Sequence, residues 1–317
     1  MPPAEMRMLL ARSYRHVDAA AWDAVVERSR NGNLLHRRGY MDYHADRYTD
    51  ASLLLESDGT PLAAFPANID GDRVASHGGL TYGGLLSTHA LRAAATLAAF
   101  EQIGKHYRAR GVHSVLYKAV PHVFHACPAE EDLYALHRLG ARLLRRELSS
   151  VIALRQPLRF TSERRRSIAR ARKAGLQLRS GGDPAAFHAL LVQVLARHGA
   201  TPTHSLAELR LLLGRFPGRL VLHEALDGDE LLAGALVYDF GRVAHTQYLA
   251  ASPRGRRLDA LSLLLAGLLE NVYAGHDYFS FGISTEQQGR VLNEGLVEQK
   301  ERFGARAMVH DVYEWTL

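Results

Sequence analysis

Leu220-Val221-Leu222-His223-Glu224, Asp227-Gly228-Asp229, Leu232-Ala233-Gly234-Ala235-Leu236-Val237-Tyr238 and Phe240-Gly241-Arg242-Val243-Ala244-His245 follow one another as apolar segments parted by turn residues. Asp-Gly pairs between such segments are strong hairpin signals, so this run predicts antiparallel strands. The same text stands earlier in the chain. Leu53-Leu54-Leu55-Glu56 leads through Asp58-Gly59 to Leu62-Ala63-Ala64-Phe65-Pro66-Ala67-Asn68, then to Asp70-Gly71-Asp72-Arg73-Val74-Ala75-Ser76-His77. His113-Ser114-Val115-Leu116-Tyr117 answers His276-Asp277-Tyr278-Phe279-Ser280-Phe281, and Leu139-Gly140-Ala141-Arg142 answers Phe303-Gly304-Ala305-Arg306. His77 and His245 lie 168 positions apart and Gly140 and Gly304 lie 164 apart, so order and spacing are both kept. Two copies of one α+β unit are the simplest explanation.

The 317 residues suit two domains of ordinary size, and a hydrophobic fraction of 47% can fill two cores. The single cysteine, Cys127, excludes an internal disulfide and predicts a reducing compartment. Met1 to Tyr14 has too short an apolar run for a secretory signal, and the longest apolar stretch, Leu258 to Val272, is interrupted by Asp259, Ser262 and Glu270. It falls short of the roughly 20 residues that a membrane span needs. A cytoplasmic protein without a membrane span is expected. His122, His125 and Cys127 match no metal-site spacing, so no metal is expected, and no nucleophile elbow or phosphate-binding P-loop is present.

Charge is concentrated. Arg159, Arg164, Arg165, Arg166, Arg170, Arg172 and Lys173 stand against Glu163 alone, as much positive charge as the net +6 of the whole chain. On a helix Arg166, Arg170 and Lys173 share one face, with Arg165 and Arg172 beside them. Two readings stay open: a solvated helix after a linker, or an anion site for phosphate, nucleotide-sugar or tRNA backbone.

Helical periodicity predicts helices at about Ala19–Arg30, Tyr40–Arg47, Leu91–Arg110 and Glu130–Leu139, with a strand ending near Tyr82 and others at Ser114–Val120 and Leu148–Leu154. After Arg155-Gln156-Pro157 come helices at Ser162–Ala174, Pro184–His198, Leu206–Phe216, Leu258–Tyr273 and Gly289–Arg302, interleaved with strands. The expected domains are 1–156 and 157–317.

This order resembles the GNAT acyltransferase fold, and its duplication resembles the FemAB-type peptidyltransferases and related double-domain acetyltransferases. Ser162-Glu163-Arg164-Arg165-Arg166-Ser167-Ile168-Ala169-Arg170-Ala171-Arg172-Lys173-Ala174-Gly175-Leu176 is similar to the basic helix that opens their second domain. Gln299-Lys300-Glu301-Arg302-Phe303-Gly304-Ala305 is similar to their C-terminal lysine followed by Phe-Gly. The long helical-hairpin insertion of some FemA-like members is absent. The resemblance implies an α+β fold of two tandem GNAT-like domains, each a mostly antiparallel sheet flanked by helices. It implies transfer of an acetyl or aminoacyl group to an amine of a cell-envelope or polysaccharide precursor, such as an amino sugar or peptidoglycan-type precursor. The donor would be acetyl-CoA or another acyl-CoA, with aminoacyl-tRNA as the alternative. A degenerate pair that binds nucleotide-sugar or nucleic acid without turnover is the rival reading.

The donor slot of that family corresponds to Ala251-Ser252-Pro253-Arg254-Gly255-Arg256-Arg257-Leu258, where Gly255 would let the backbone approach phosphate and Arg254, Arg256 and Arg257 would meet its oxygens. Arg257 stands where the family pattern has a second small residue. The first-copy slot, Gly83-Gly84-Leu85-Leu86-Ser87, has no basic residue, so donor binding is expected in the second domain alone. Leu249 and Ala250 would supply oxyanion N–H donors by family analogy. His245 would be the general base, with a structural His245 as the open alternative; strand alternation puts His245, Gln247 and Leu249 on one face and Tyr248 on the other. Lys300 would act in donor recognition and charge stabilisation, with Asn293 seven residues before it on the same helix face. His36, Arg37, Tyr82 and Lys118 in the first domain, and Arg165, Arg166, Arg170 and Lys173 in the basic helix, are the candidate substrate contacts.

Overall fold

A computed structural model describes residues 9–197 and 199–317. His198, the expected end of one helix, and the start of the N-terminal segment lie outside the described residues. The chain divides into two compact units, 1–147 with 309–317, and 148–308.

The first unit holds strands β1 (Leu9–Ser13), β2 (Thr49–Asp50), β3 (Leu53–Ser57), β4 (Thr60–Phe65), β5 (Asn68–Asp70), β6 (Arg73–Ala75), β7 (Leu86–Ser87) and β8 (Ser114–Lys118). Its helices are α1 (Ala19–Arg28), α2 (Arg38–Met41), α3 (Ala93–Arg108) and α4 (Glu131–Arg138). The hairpins turn where the sequence predicts, because Asp58 and Gly59 both adopt positive φ between the paired Ser57 and Thr60, and Gly71 does so between Asp70 and Arg73. The sheet then splits. β4 pairs with β3, while β5 pairs with β6, and Pro66 stands between them without an N–H to continue a ladder. The expected strand toward Tyr82 is instead a loop, entered at His77 with φ +61.

β9 (Arg142–Ala153) runs out of the first unit into the second at Leu148. The second unit continues with α5 (Ser162–Lys173), β10 (Gln177–Ser180), α6 (Pro184–Ala196), α7 (Leu206–Arg215), β11 (Leu220–Asp227), β12 (Glu230–Asp239) and β13 (Val243–Ala251). Then come α8 (Pro253–Arg257), α9 (Ala260–Gly267), β14 (Tyr278–Ile283), the hairpin β15 (Thr285–Glu286) and β16 (Val291–Leu292), α10 (Glu294–Glu301) and β17 (Arg306–Thr316). The expected Leu258–Tyr273 helix breaks at Asp259, whose φ is +54. The expected Gly289–Arg302 helix starts only at Glu294, because Asn293 caps it by accepting from the Leu296 N–H at 3.0 Å.

The compact units differ from the split expected at Gln156. In the second unit β14 pairs with Ser149–Ala153 of β9, and in the first β8 pairs with Val312–Thr316 of β17. Each repeat thus gives up its last strand and receives the other's. Trp315 is accordingly buried in the first core with Phe100, Tyr117 and Val115, whereas Ile152 belongs to the second core with Leu264, Phe279 and Phe303. Among the described residues no helix is long and apolar enough to cross a membrane.

Candidate functional site

The second unit's sheet opens beside β13. β12 and β13 pair along their length, but β13 and β14 run parallel over only three residue pairs, Val243 to His245 against Tyr278 to Ser280. From Thr246 to Ala251 β13 has no strand on its β14 side among the described residues, so this stretch offers backbone N–H and C=O groups to a ligand. The register against β12 also shifts: Val237 faces Thr246 and Leu236 faces Tyr248, which leaves Gln247 as a bulge. Leu236 and Tyr238 share a face, and their partners are Tyr248 and His245. The alternation expected from sequence is therefore corrected: the bulge brings His245 and Tyr248 to the same face. The Tyr248 hydroxyl is held by His204, 2.7 Å from its Nδ1 and 3.3 Å from its N–H.

His245 is half-buried, with Nδ1 3.1 Å from Ser280 Oγ. It lies close to Gly282, since a Cβ there would be at ordinary contact distance, 3.5 Å, from His245 Cε1; the +74 φ of Gly282 is what calls for glycine. Lys300 reaches the same turn from α10. Its Nζ donates to Gly282 O at 2.9 Å, Ile283 O at 2.8 Å and Ser284 Oγ at 2.7 Å, which uses all three ammonium protons. Burial lowers its pKa to about 8. His245 and Lys300, far apart in sequence, thus meet at one glycine. Ser280, Gly282 and Ser284 were missed by the sequence reading; their only signal is the small-residue alternation Ser280-Phe281-Gly282-Ile283-Ser284 at a strand end. Asn293 stands at the N-cap of α10, and its amide donates to Glu286 at 2.7 Å.

The loop after β13 departs from the expected phosphate cradle. A Cβ on Gly255 would lie 2.0 Å from Leu232 O, so this glycine seats α8 on β12 instead of admitting a ligand. Ser252 Oγ accepts from the Gly255 N–H at 2.9 Å and Ser252 O from the Arg256 N–H at 2.9 Å, while Pro253 has no N–H. Arg254 is paired with Asp227 and Glu230 in the β11–β12 turn, and Arg256 donates to Ala251 O at 3.2 Å. Arg257 is exposed, Leu249 half-buried and Ala250 buried.

In the basic helix α5, capped by Thr161, Arg170 pairs with Asp259 at 2.7 Å and Arg172 with Glu270 at 2.9 Å. Arg165 donates to Phe160 O at 2.6 Å, and Arg166 and Lys173 are exposed. The first-unit candidates do not form an open site. His36 is fully buried and kept neutral, its pKa lowered by burial to about 4; its ring lies 5.8 Å from that of Tyr82. Tyr82 is likewise interior, packed on Phe124 at 4.8 Å with its hydroxyl accepting from Asn33, so it offers no stacking surface. Arg37 is half-exposed, 3.8 Å from Glu27. Lys118 is buried and donates to Leu80 O and Gly78 O; burial lowers it to about 7.

Here the two copies diverge. β6 and β8 repeat the short parallel pairing of β13 and β14, over Arg73–Ala75 and Ser114–Leu116. Past it, the loop after β6 folds onto β8: Ser76 N–H donates to Leu116 O at 2.8 Å, Ser76 Oγ accepts from Lys118 N–H at 2.7 Å, and Gly83 N–H donates to Lys118 O at 3.0 Å. The opening present in the second unit is filled in the first.

Residues 158–288 match the family model described as acetyltransferase (GNAT) domain. No curated protein sequence matches the chain significantly. Among solved structures the chain is similar to FemX, with a TM-score of 0.69 and 13% identity over 96% of this chain and 97% of that one. It is similar to the C-terminal domain of a putative lysylphosphatidylglycerol synthetase from Agrobacterium fabrum, at 0.63 and 12% over 94% and 92%. It is also similar to a tandem GNAT protein from the clavulanic acid biosynthesis pathway, at 0.50 and 11% over 97% and 98%. At these identities the likeness establishes the fold.

Proposed function

Because the chain has the fold of FemX and its residues 158–288 match an acetyltransferase (GNAT) domain, we propose that it is an N-acyltransferase with its donor in the opening between β13 and β14. The observation that carries this reading is the asymmetry of the two parallel pairs, open in the second unit and filled by Ser76–Gly83 in the first.

In this reading the donor carbonyl lies along Thr246–Ala251, where N–H groups near Leu249 and Ala250 stabilise the oxyanion formed when an amine attacks. His245, steadied by Ser280, takes the proton from the attacking amine, and collapse of the tetrahedral intermediate expels the carrier. Lys300 is a positioning residue. It fixes the Gly282–Ser284 turn against which His245 rests.

The donor is an aminoacyl ester on tRNA in preference to acyl-CoA. An acyl-CoA pyrophosphate needs an array of free N–H groups at a helix start. At α8 one of the first four positions has no N–H and two more are already bonded, while Arg254 and Arg256 are engaged. Exposed Arg166 and Lys173 remain for a polyanion. The lysylphosphatidylglycerol synthetase domain, named for an aminoacylated membrane lipid, supports a cell-envelope acceptor on this fold. The test is mass spectrometry of products formed from charged tRNA or acetyl-CoA with amino-sugar and peptidoglycan-type amines. Aminoacyl products that need charged tRNA support the reading. Acetylated products alone overturn the donor assignment, and no product with either donor overturns acyl transfer.

A further inference from the structure

A cavity of about 700 Å³ opens at the end of α9 remote from Ser252, outside the site described above. Its walls are Ile152, Leu154, Leu158, Phe160, Ile168 and Leu269. Leu158 remains 47% exposed, an apolar side chain facing this space without cover. A volume of this size is that of a small-molecule pocket, roughly 300–1,000 Å³.

The rim carries more positive than negative charge. Arg159, Arg165 and Arg172 line it, against Glu270 as the one carboxylate among the described residues. Glu270 is matched with Arg172 at 2.9 Å. Arg159 and Arg165 have no carboxylate partner among the described residues. The helix separates its own charges: at 100° per residue Arg165 and Arg172 fall together beside Ile168, while Arg166, Arg170 and Lys173 form a different face. The cavity arginines are therefore distinct from those available to a polyanion along the helix.

We propose that this cavity binds a single-chain anionic amphiphile, with its acyl chain along the apolar walls and its carboxylate or phosphate head on Arg159 and Arg165. The walls give an alkyl chain a surface removed from water, and the guanidinium fork suits either head group bidentately. A nucleobase would leave its hydrogen-bonding edges facing Ile152, Leu158 and Ile168, which cannot answer them. An acyl chain needs no such partners.

The test is isothermal titration of the full-length protein with sodium dodecanoate and with a dodecanoyl lysophospholipid, both below their micelle thresholds. The tighter arm distinguishes a free fatty acid from a lipid source. One saturable site is expected. Decanoate should bind about 15-fold more weakly than dodecanoate, from roughly fourfold per methylene lost. Arg159→Glu with Arg165→Glu should weaken binding at least tenfold, and Leu158→Trp, which fills the cavity from an exposed position, should abolish it; circular dichroism reports whether each variant keeps its fold. Absence of saturable binding, equal binding of a dodecyl trimethylammonium cation, displacement by AMP, or full affinity in folded variants would each overturn the proposal. Binding is read without turnover, so this outcome is independent of the acyl-transfer assay.

Discussion

Replacing Lys300 by methionine sets two opposed terms against each other. Held at about 8 instead of 10.5, the buried ammonium costs the fold ~3.4 kcal/mol at neutral pH, which Lys300→Met relieves. The same change strips Gly282 O, Ile283 O and Ser284 Oγ of their donor. An acceptor left bare in a buried place costs about 1–3 kcal/mol, or roughly 3–9 for three; Ser284 is buried while Gly282 is half-buried and Ile283 exposed, which puts this set in the lower half of that range. At the middle of that lower half, about 4.5 kcal/mol, the loss exceeds the relief, so chemical denaturation at pH 7 should show the variant less stable by ~1 kcal/mol. The pH dependence isolates the charge. Between pH 8 and 10.5 the unfolded lysine holds a proton that the folded one has lost, so wild-type stability rises with pH by at most ~1.4 kcal/mol per unit, and the variant lacks this rise. Release of the turn beside His245 should lower kcat at least tenfold while KM for the donor moves less than threefold. A variant as stable as wild type, with the same slope above pH 8 and the same kcat, would refute the role assigned to Lys300.

Gly255→Ala should lower stability by ~1–3 kcal/mol in thermal melts, because its Cβ would meet Leu232 O at 2.0 Å. Arg254→Ala should leave both turnover and melting temperature nearly unchanged, since this arginine serves an exposed pairing with Asp227 and Glu230. Trp315→Ala should cost about 3–5 kcal/mol and melt the first unit selectively, as seen by hydrogen exchange, although residue 315 lies in the second repeat. Acid should also unfold the first unit first. There burial holds His36 and His310 at about 4 and His77 at about 3, so below pH 6.5 the unfolded chain binds protons that the folded one refuses. Asp132, raised by burial to about 6, gains stability over the same window and offsets one of them. The net loss of roughly 2.7 kcal/mol per pH unit between pH 6 and 4 is set against a stability of about 5–15, while in the second unit burial lowers His223 to about 4. Exchange-detected unfolding in the opposite order would contradict this.

The features read correctly from sequence are local ones. Asp58-Gly59 and the Gly228 that follows Asp227 specify their turns through the φ preferences of their own residues, and the Asp-Gly pairs reveal the repeat before any packing is known. The exchange of last strands has no local signature: Ser149–Ala153 and Val312–Thr316 would suit either sheet by pattern. The Gln247 bulge is equally silent, being a property of the register between two strands. His36 and Tyr82 look like surface contacts because their types are polar, yet tertiary packing closes over both. Gly255 shows the same limit. Sequence marks where a side chain is not tolerated, and only the fold shows that the neighbour is Leu232 and not a ligand.

The assignment of the donor to the second unit is tested most directly by hydrogen–deuterium exchange with and without a non-hydrolysable aminoacyl-tRNA analogue. The expected result is protection of the amides of Thr246–Ala251 and of the Gly282–Ser284 turn, with no change over Ser76–Gly84. Protection over Ser76–Gly84 with none along β13 would contradict it.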